Sequence, residues 1–454
     1  METPFPFETI IIFGWLACML IIGIVLRAKI PLFQRYLLPS CLIGGLIGFI
    51  IINTGAIKIS VTAIETFAYH FFNISFISLG LTATDRPGKT SIFDKDLMRG
   101  SVWMALVQGS TFGLQAAVCG LLVLIFGFVG LDLFPTFGFL LPLGFEEGPG
   151  QALSIGKVWE GLGFAHAATI GLTFASIGFG FAFFVGVPLV NRGIRKGLSG
   201  RASKKLSEDI VTGIVPEDRP KESAGRLALH PSNVDSLAFQ AALVGLVYLL
   251  TYAMVKFTAG LLAPDSAKII WGFFFVFGLF VAMLVRTTAR FLGREYLIDP
   301  GIQRRITGGS VDFLIVSTVM AIQLSVVRQF ILPISMLSLI AGTLTTVIVI
   351  YLGKSLPQYN LERTAAVYGA VTGTVSTGLL LLRIADPDFR TPVAIEIAIM
   401  NLFSIPIIGA CLVLVNAPLW WSWGVGMTSL IFFGIMVLCM VFLRVLKFWG
   451  TLKY

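Results

Sequence analysis

Charge is scarce in this chain. Only 13% of its 454 residues are Asp, Glu, Lys or Arg, about half the share of a soluble domain. That excludes an ordinary water-soluble enzyme and points to a protein solvated by lipid. Cysteine is sparse too: the five (Cys18, Cys41, Cys119, Cys411, Cys439) fall inside apolar runs with no CxxC spacing, so neither a disulfide framework nor a cysteine-based metal site is indicated. The three histidines (His70, His166, His230) are scattered. The absence of HExxH and of spaced intramembrane Asp motifs argues against a membrane protease, and the expectation is that the chain is not an enzyme. No basic residue precedes the first apolar run, which argues against a cleavable signal peptide and for an N-terminus outside.

What is abundant is hydrophobicity, 56% of the residues. At roughly 20 apolar residues per span, the pattern predicts about eleven spanning helices: Glu8–Leu26, Tyr36–Gly55, Ala63–Ala83, Gly100–Val129, Gly163–Val190, Ser236–Leu262, Ala267–Val285, Gly309–Val327, Ile331–Gly353, Pro392–Val415 and Trp423–Leu446. Two further apolar stretches are interrupted at their centres. One runs from Leu133 to Gly161 and breaks at Gly144-Phe145-Glu146-Glu147-Gly148-Pro149-Gly150-Gln151. The other, over 361–384, breaks at Thr372-Gly373-Thr374-Val375-Ser376-Thr377-Gly378. Irregular backbone at membrane depth must be buried in protein or line a wet cavity. A matched pair of interrupted segments, one in each half, is the sequence mark of a secondary transporter's binding site. Both are read as re-entrant hairpins, with arms of about ten residues reaching half-way across.

The basic residues support this topology. With the N-terminus outside, all but Lys58, Lys157, Lys256, Lys268 and Arg328 of the 33 Lys and Arg fall on the cytoplasmic side, the asymmetry expected of a plasma-membrane protein. The same asymmetry accounts for the net charge of +9, so no nucleic-acid partner is implied. The expected fold is an all-α polytopic membrane protein. Residues 1–198 form one repeat of five spans with the hairpin 133–161, and residues 199–235 a flexible cytoplasmic linker. Residues 236–416 form a second, inverted repeat with the hairpin 361–384, and residues 417–454 an additional span with a cytoplasmic basic tail. Leu133/Leu361, Thr136/Thr364, Gly150/Gly378 and Leu153/Leu381 share one offset, a faint residue of that repeat.

Chemistry is expected at the hairpin tips. Gly148 and Gly150 let backbone approach a ligand, and Pro149 interrupts the helix. Adjacent carboxylates at membrane depth are costly unless they bind a cation, pair with a base or carry a proton, so Glu146 and Glu147 read as a coupling site or as carboxylates solvated in an aqueous vestibule. Thr372, Thr374, Ser376 and Thr377 offer hydroxyl oxygens of the kind hard cations prefer, with Gly378 beside them; packing by small residues is the other reading. A coupling sodium would draw ligands from Glu147, Thr374 and Ser376. Asn401 is a mid-span pocket candidate. Glu396 lies near the cytoplasmic end of its span and is expected to reach water, Gln108 and Gln115 read as interhelical hydrogen-bonders, and His70 as a proton carrier or a structural hydrogen-bond partner.

Several motifs resemble the sodium:glutamate symporter family of bacterial inner-membrane proteins. Phe33-Gln34-Arg35-Tyr36-Leu37-Leu38-Pro39 with Gly44-Gly45-Leu46 is similar to its first cytoplasmic loop and second helix. Leu79-Gly80-Leu81-Thr82-Ala83 is similar to its third-helix end, and Thr173-Phe174-Ala175 with Gly178, Gly186, Pro188 and Arg192 to its fifth helix. The resemblance covers the layout of Pro31–Gly409. The family's Gly-His-Gly-Thr-Gly core stands here as Glu146-Glu147-Gly148-Pro149-Gly150, with Glu147 at the histidine position. The resemblance implies glycine-rich re-entrant loops from opposite sides, sodium as the coupling ion with no other cofactor, a small-molecule substrate (a small organic anion or amino acid, glutamate first), a homodimer and a bacterial inner-membrane location. Proton coupling to a different solute, or an ion channel, are the alternative classes.

Overall fold

The apolar runs fold as helices. The computed structural model describes residues 5–82, 95–199, 208–217, 223–230, 232–356, 358–387 and 390–449, and no strand occurs among them. The helices are α1 (Glu8–Lys29), α2 (Ser40–Asn53), α3 (Val61–Leu81), α4 (Lys95–Phe128), α5 (Leu140–Phe145), α6 (Pro149–Glu160), α7 (Ala167–Arg195), α8 (Ser236–Gly260), α9 (Pro264–Gly272), α10 (Phe274–Phe291), α11 (Pro300–Met320), α12 (Ile331–Lys354), α13 (Asn360–Val371), α14 (Val375–Ala385), α15 (Val393–Leu414) and α16 (Val425–Val445), with shorter turns between. Eight of them (α1, α4, α7, α8, α10, α12, α15, α16) are long and apolar enough to cross a membrane.

The seventh expected span, Ala267–Val285, is broken at Phe273 into α9 and α10, and three expected spans are not among these eight. The second is α2, only 14 residues, about 21 Å at 1.5 Å per residue. The third, α3, carries Glu65, His70 and Asn73 and is not among those eight. The eighth starts nine residues earlier than expected, because Asp299 caps Ile302 N at 2.7 Å and Pro300 occupies the first turn, a favourable helix start. It ends at Met320, where Asn53 Nδ2 donates to the Ile322 carbonyl and Asn53 Oδ1 accepts from Leu324 N.

The helices gather in two sets. α1, α2, α3, α8, α10 and α11 pack among themselves, and so do α4, α5, α6, α7, α12, α13, α14, α15 and α16; contacts between the sets run chiefly through α6 and α7. Small residues set the spacing. Gly23 and Gly44 bring α1 and α2 backbone to backbone, with Gly23 against the Ser40 carbonyl and Gly44 against that of Met19, the close approach that membrane helices use in place of a hydrophobic driving force.

The linker is less free than expected. Glu208–Thr212 is helical, and Arg27 Nη2 donates to the Ile210 carbonyl at 2.9 Å. Arg226 N donates to Asp299 Oδ2 at 3.2 Å. Its described pieces are therefore docked on the helical body by backbone hydrogen bonds, which a composition-based reading cannot see. Residues 200–207, 218–222 and 231 lie outside the described residues, as does the basic tail beyond residue 449.

Candidate functional site

Helix α7 works as a ruler for both interrupted segments. The first doubles back on itself: Phe134 and Phe137 at its start and Trp159 at its end all pack on Phe164, at ring-centroid distances of 4.6, 5.9 and 6.4 Å. Between these ends it follows α7. A β-carbon at Gly156 would touch Ala168 at 2.8 Å, one at Gly171 would touch Ala152, and one at Gly144 would stand 2.7 Å from Ala175 N. The second also doubles back. The Ser199 hydroxyl lies 3.3 Å from both Glu362 Oε1 and the Ala385 carbonyl, at its two ends, and Gly369 of α13 faces Gly378 of α14 backbone to backbone. Its arms lie along the other half of α7, with Leu361 against Gly193, and Tyr368 and Leu381 against Gly186.

The two segments thus approach from opposite ends of one helix and meet at Gly178, whose missing side chain leaves room for the Thr372 carbonyl (2.8 Å) and Phe145 Cα (3.3 Å). The breaks touch directly. Gly148, at φ +83° and ψ −179°, faces Thr374 Cγ2 and the Gly373 carbonyl, 2.8 and 3.4 Å from where a β-carbon would sit. Only glycine adopts that backbone without strain. Next to this junction, Phe181–Gly186 forms a π turn, a feature often found at functional sites.

Polar groups around the junction are poorly matched. Glu146 is 4% exposed, and neither carboxylate oxygen has a hydrogen-bond partner among the described residues. It faces the Thr111 hydroxyl, but that hydroxyl is within 3.0 Å of the Val107 and Gln108 carbonyls and donates there. Glu147 Oε1 and Gln151 Oε1 are likewise buried without a partner. Such orphans cost about 1–3 kcal/mol each, more when charged. On the opposing break, Thr374 caps Thr377 N at 3.4 Å, and the two hydroxyls stand 3.3 Å apart. Thr372 is fully buried and donates to the Tyr368 carbonyl at 2.6 Å. The set is rich in oxygen acceptors and poor in donors, which suits a hard cation.

Not every expected residue joins this cluster. Gly150 packs on the Phe72 ring of α3, and Gly378 on the Ala366 carbonyl within its own hairpin. Ser376 is exposed, and Asn401 is half-buried on α15, with no side-chain hydrogen bond to either break among the described residues. Glu396 does not reach water: it is fully buried and accepts from Arg363 Nη2 and Nε at 2.5 and 2.8 Å, in room left by Gly100. Its partner lies 33 positions earlier in sequence, so span position alone misplaced it. His70 is exposed and bonds Tyr248 Oη at 2.7 Å. Gln115 Nε2 donates to Thr345 Oγ1 at 3.1 Å and to the Val371 carbonyl at 3.3 Å, beside the second break. Thr111 was missed, although Gln108, Thr111 and Gln115 form a polar stripe with helical spacing that marks it.

No protein-family model matches the chain, and no curated protein does.

Proposed function

We propose that this protein is a sodium-coupled secondary active transporter, a symporter for a small organic anion or amino acid, with glutamate the first candidate. The observation that carries the reading is the group of buried acceptor oxygens without donors (Glu146, Glu147, Gln151) at the point where two chain breaks meet. In this reading the doubled-back segments are re-entrant hairpins entering from opposite membrane faces, within two inverted repeats of five spans each and one extra span. Sodium is cargo: bound by these carboxylates together with the Thr374 and Thr377 hydroxyls, it would neutralise the site and let an anionic substrate approach. The two helix sets supply the moving parts, the hairpin-bearing set sliding past the other, which would form a homodimer. The resemblance to sodium:glutamate symporters supports the same reading, with the protein in a bacterial inner membrane, N-terminus outside and C-terminus cytoplasmic.

The test is thermal stabilisation of the purified protein by sodium against potassium, followed by amino acids and dicarboxylates. Sodium-specific stabilisation that glutamate deepens is the expected result; no response to sodium removes the coupling assignment. One observation favours a second reading. Both oxygens of Glu146 lack a hydrogen-bond partner among the described residues, and carrying a proton is the other way to satisfy a carboxylate at membrane depth. Stabilisation that follows pH and ignores sodium would make the protein a proton-coupled transporter.

A further inference from the structure

A cavity of about 580 Å³ opens at the far end of α7 from Phe164. Its wall holds three cations, Arg192 and Lys196 from the end of α7 and Lys354 from the end of α12, together with Leu189, Ile350 and Leu361. No carboxylate among the described residues lines it. None of the three cations forms an ion pair among the described residues. The nearby acids are engaged elsewhere, Glu362 with Ser199 and Glu396 with Arg363.

Its position sets the ligand class. α7 and α12 are both long and apolar enough to cross a membrane, and they end at Arg195 and Lys354, so the cavity lies where hydrocarbon gives way to headgroups. Three unmatched cations beside an apolar wall fit a group with a phosphate at one end and an acyl chain at the other. Basic pockets between membrane helices bind anionic headgroups in this way. We infer that the cavity bounded by Arg192, Lys196 and Lys354 is a binding site for the phosphate headgroup of an anionic membrane lipid, with Leu189, Ile350 and Leu361 against its glycerol and upper acyl carbons. The second hairpin contributes Leu361 and Thr364 to the same wall, so the lipid braces that hairpin's base against α7 and α12.

The test is native mass spectrometry with a parallel thermal shift on delipidated full-length protein. The probes are phosphatidylglycerol, phosphatidylcholine and inorganic phosphate. Phosphatidylglycerol is expected to remain as a bound adduct and raise Tm, while phosphatidylcholine and millimolar phosphate do neither. Each cation replaced by Gln weakens phosphatidylglycerol binding about five-fold, and R192Q/K196Q/K354Q weakens it about 100-fold. The charge-matched control K256Q/R294Q/R328Q, away from the cavity, keeps wild-type binding. Equal phosphatidylglycerol binding by the two triple variants overturns the site, as does equal binding of phosphatidylcholine. A phosphate-only response overturns the lipid assignment. If the triple variant does not fold, the single variant K196Q, at an exposed position, decides between a five-fold loss and none.

Discussion

Gly148 and Thr374 meet where the two breaks touch: the Thr374 methyl fills the space that a Gly148 side chain would need. The two residues are 226 positions apart, on segments that reach this point from opposite ends of α7. Gly148→Ala therefore carries two separable costs, a steric one against Thr374 and a backbone one at φ +83°. The variant is expected to lose about 1–3 kcal/mol of stability and at least ten-fold in uptake. Adding Thr374→Ser removes the methyl and recovers the steric part only. Uptake into proteoliposomes and thermal unfolding check both statements; full activity in the single variant would show that the junction is not part of the working site.

Glu147→Gln is expected to abolish sodium-dependent uptake and sodium-specific stabilisation while leaving expression and the apo Tm near wild type. Normal coupled uptake would withdraw Glu147 from the coupling role.

The buried pair of Arg363 and Glu396 behaves as a unit. Removing one member leaves a buried, unpaired charge, and Arg363→Ala or Glu396→Ala alone is expected to destabilise by about 3–5 kcal/mol. The double variant Arg363→Met/Glu396→Leu should cost much less than the sum of the singles. Thermal unfolding in detergent decides it, and additive losses would contradict the pairing.

Ser154 of α6 donates to the Gly272 carbonyl of α9 at 2.9 Å, and α9 packs in turn on α8 and α10, so it links the set that holds α6 to the set that holds α8 and α10. A β-carbon at Gly272 would lie 3.6 Å from the Ser154 carbonyl, so the two residues are the place to try a cross-link between these helices. With the five native cysteines replaced by alanine, Ser154→Cys/Gly272→Cys is expected to cross-link on oxidation and stop uptake, and a reductant to restore it. Uptake that continues with the bond formed would rule out sliding between the sets.

Glu295 lies outside the membrane-spanning helices, where Arg290 first and Arg286 second hold its carboxyl down at about 2. A depressed carboxyl adds stability that is full above its unfolded value and is lost as pH falls through the folded one. The Tm difference between wild type and Glu295→Gln should therefore be constant near neutrality and shrink as pH falls from about 4.5 towards 2. The pair is exposed, so the difference is small and high salt reduces it further. A difference that grows on acidification would have the wrong sign for this ion pair.

Sequence carried the helical class and the position of both breaks, because glycine, proline and carboxylates inside an apolar run interrupt a spanning helix. It misjudged features that depend on distant partners. Glu396 was placed by its distance from a span end, yet its environment is set by Arg363 and by the gap at Gly100. The linker was read from composition alone, yet Arg27 and Asp299 hold it through its backbone, which composition does not encode. The faint repeat pairs Gly150 with Gly378, while the return arms begin at Gly148 and Thr374, two positions out of that register.

The π turn at Phe181–Gly186 lies where α7 passes from one hairpin to the other: Phe181 packs on Phe145 of the first at 5.8 Å and its carbonyl accepts from Tyr368 Oη of the second at 3.5 Å, while Gly186 faces Tyr368 and Leu381. A π turn takes up one residue more per hydrogen-bonded loop than an α turn. It therefore acts as a phase shift built into the spine that both hairpins share. Adding or deleting one residue there would rotate the second docking face by about 100° and move it about 1.5 Å, carrying Thr374 away from Gly148. Substitution along α7 is tolerable wherever small residues remain; a change in its length between Gly178 and Gly186 is not.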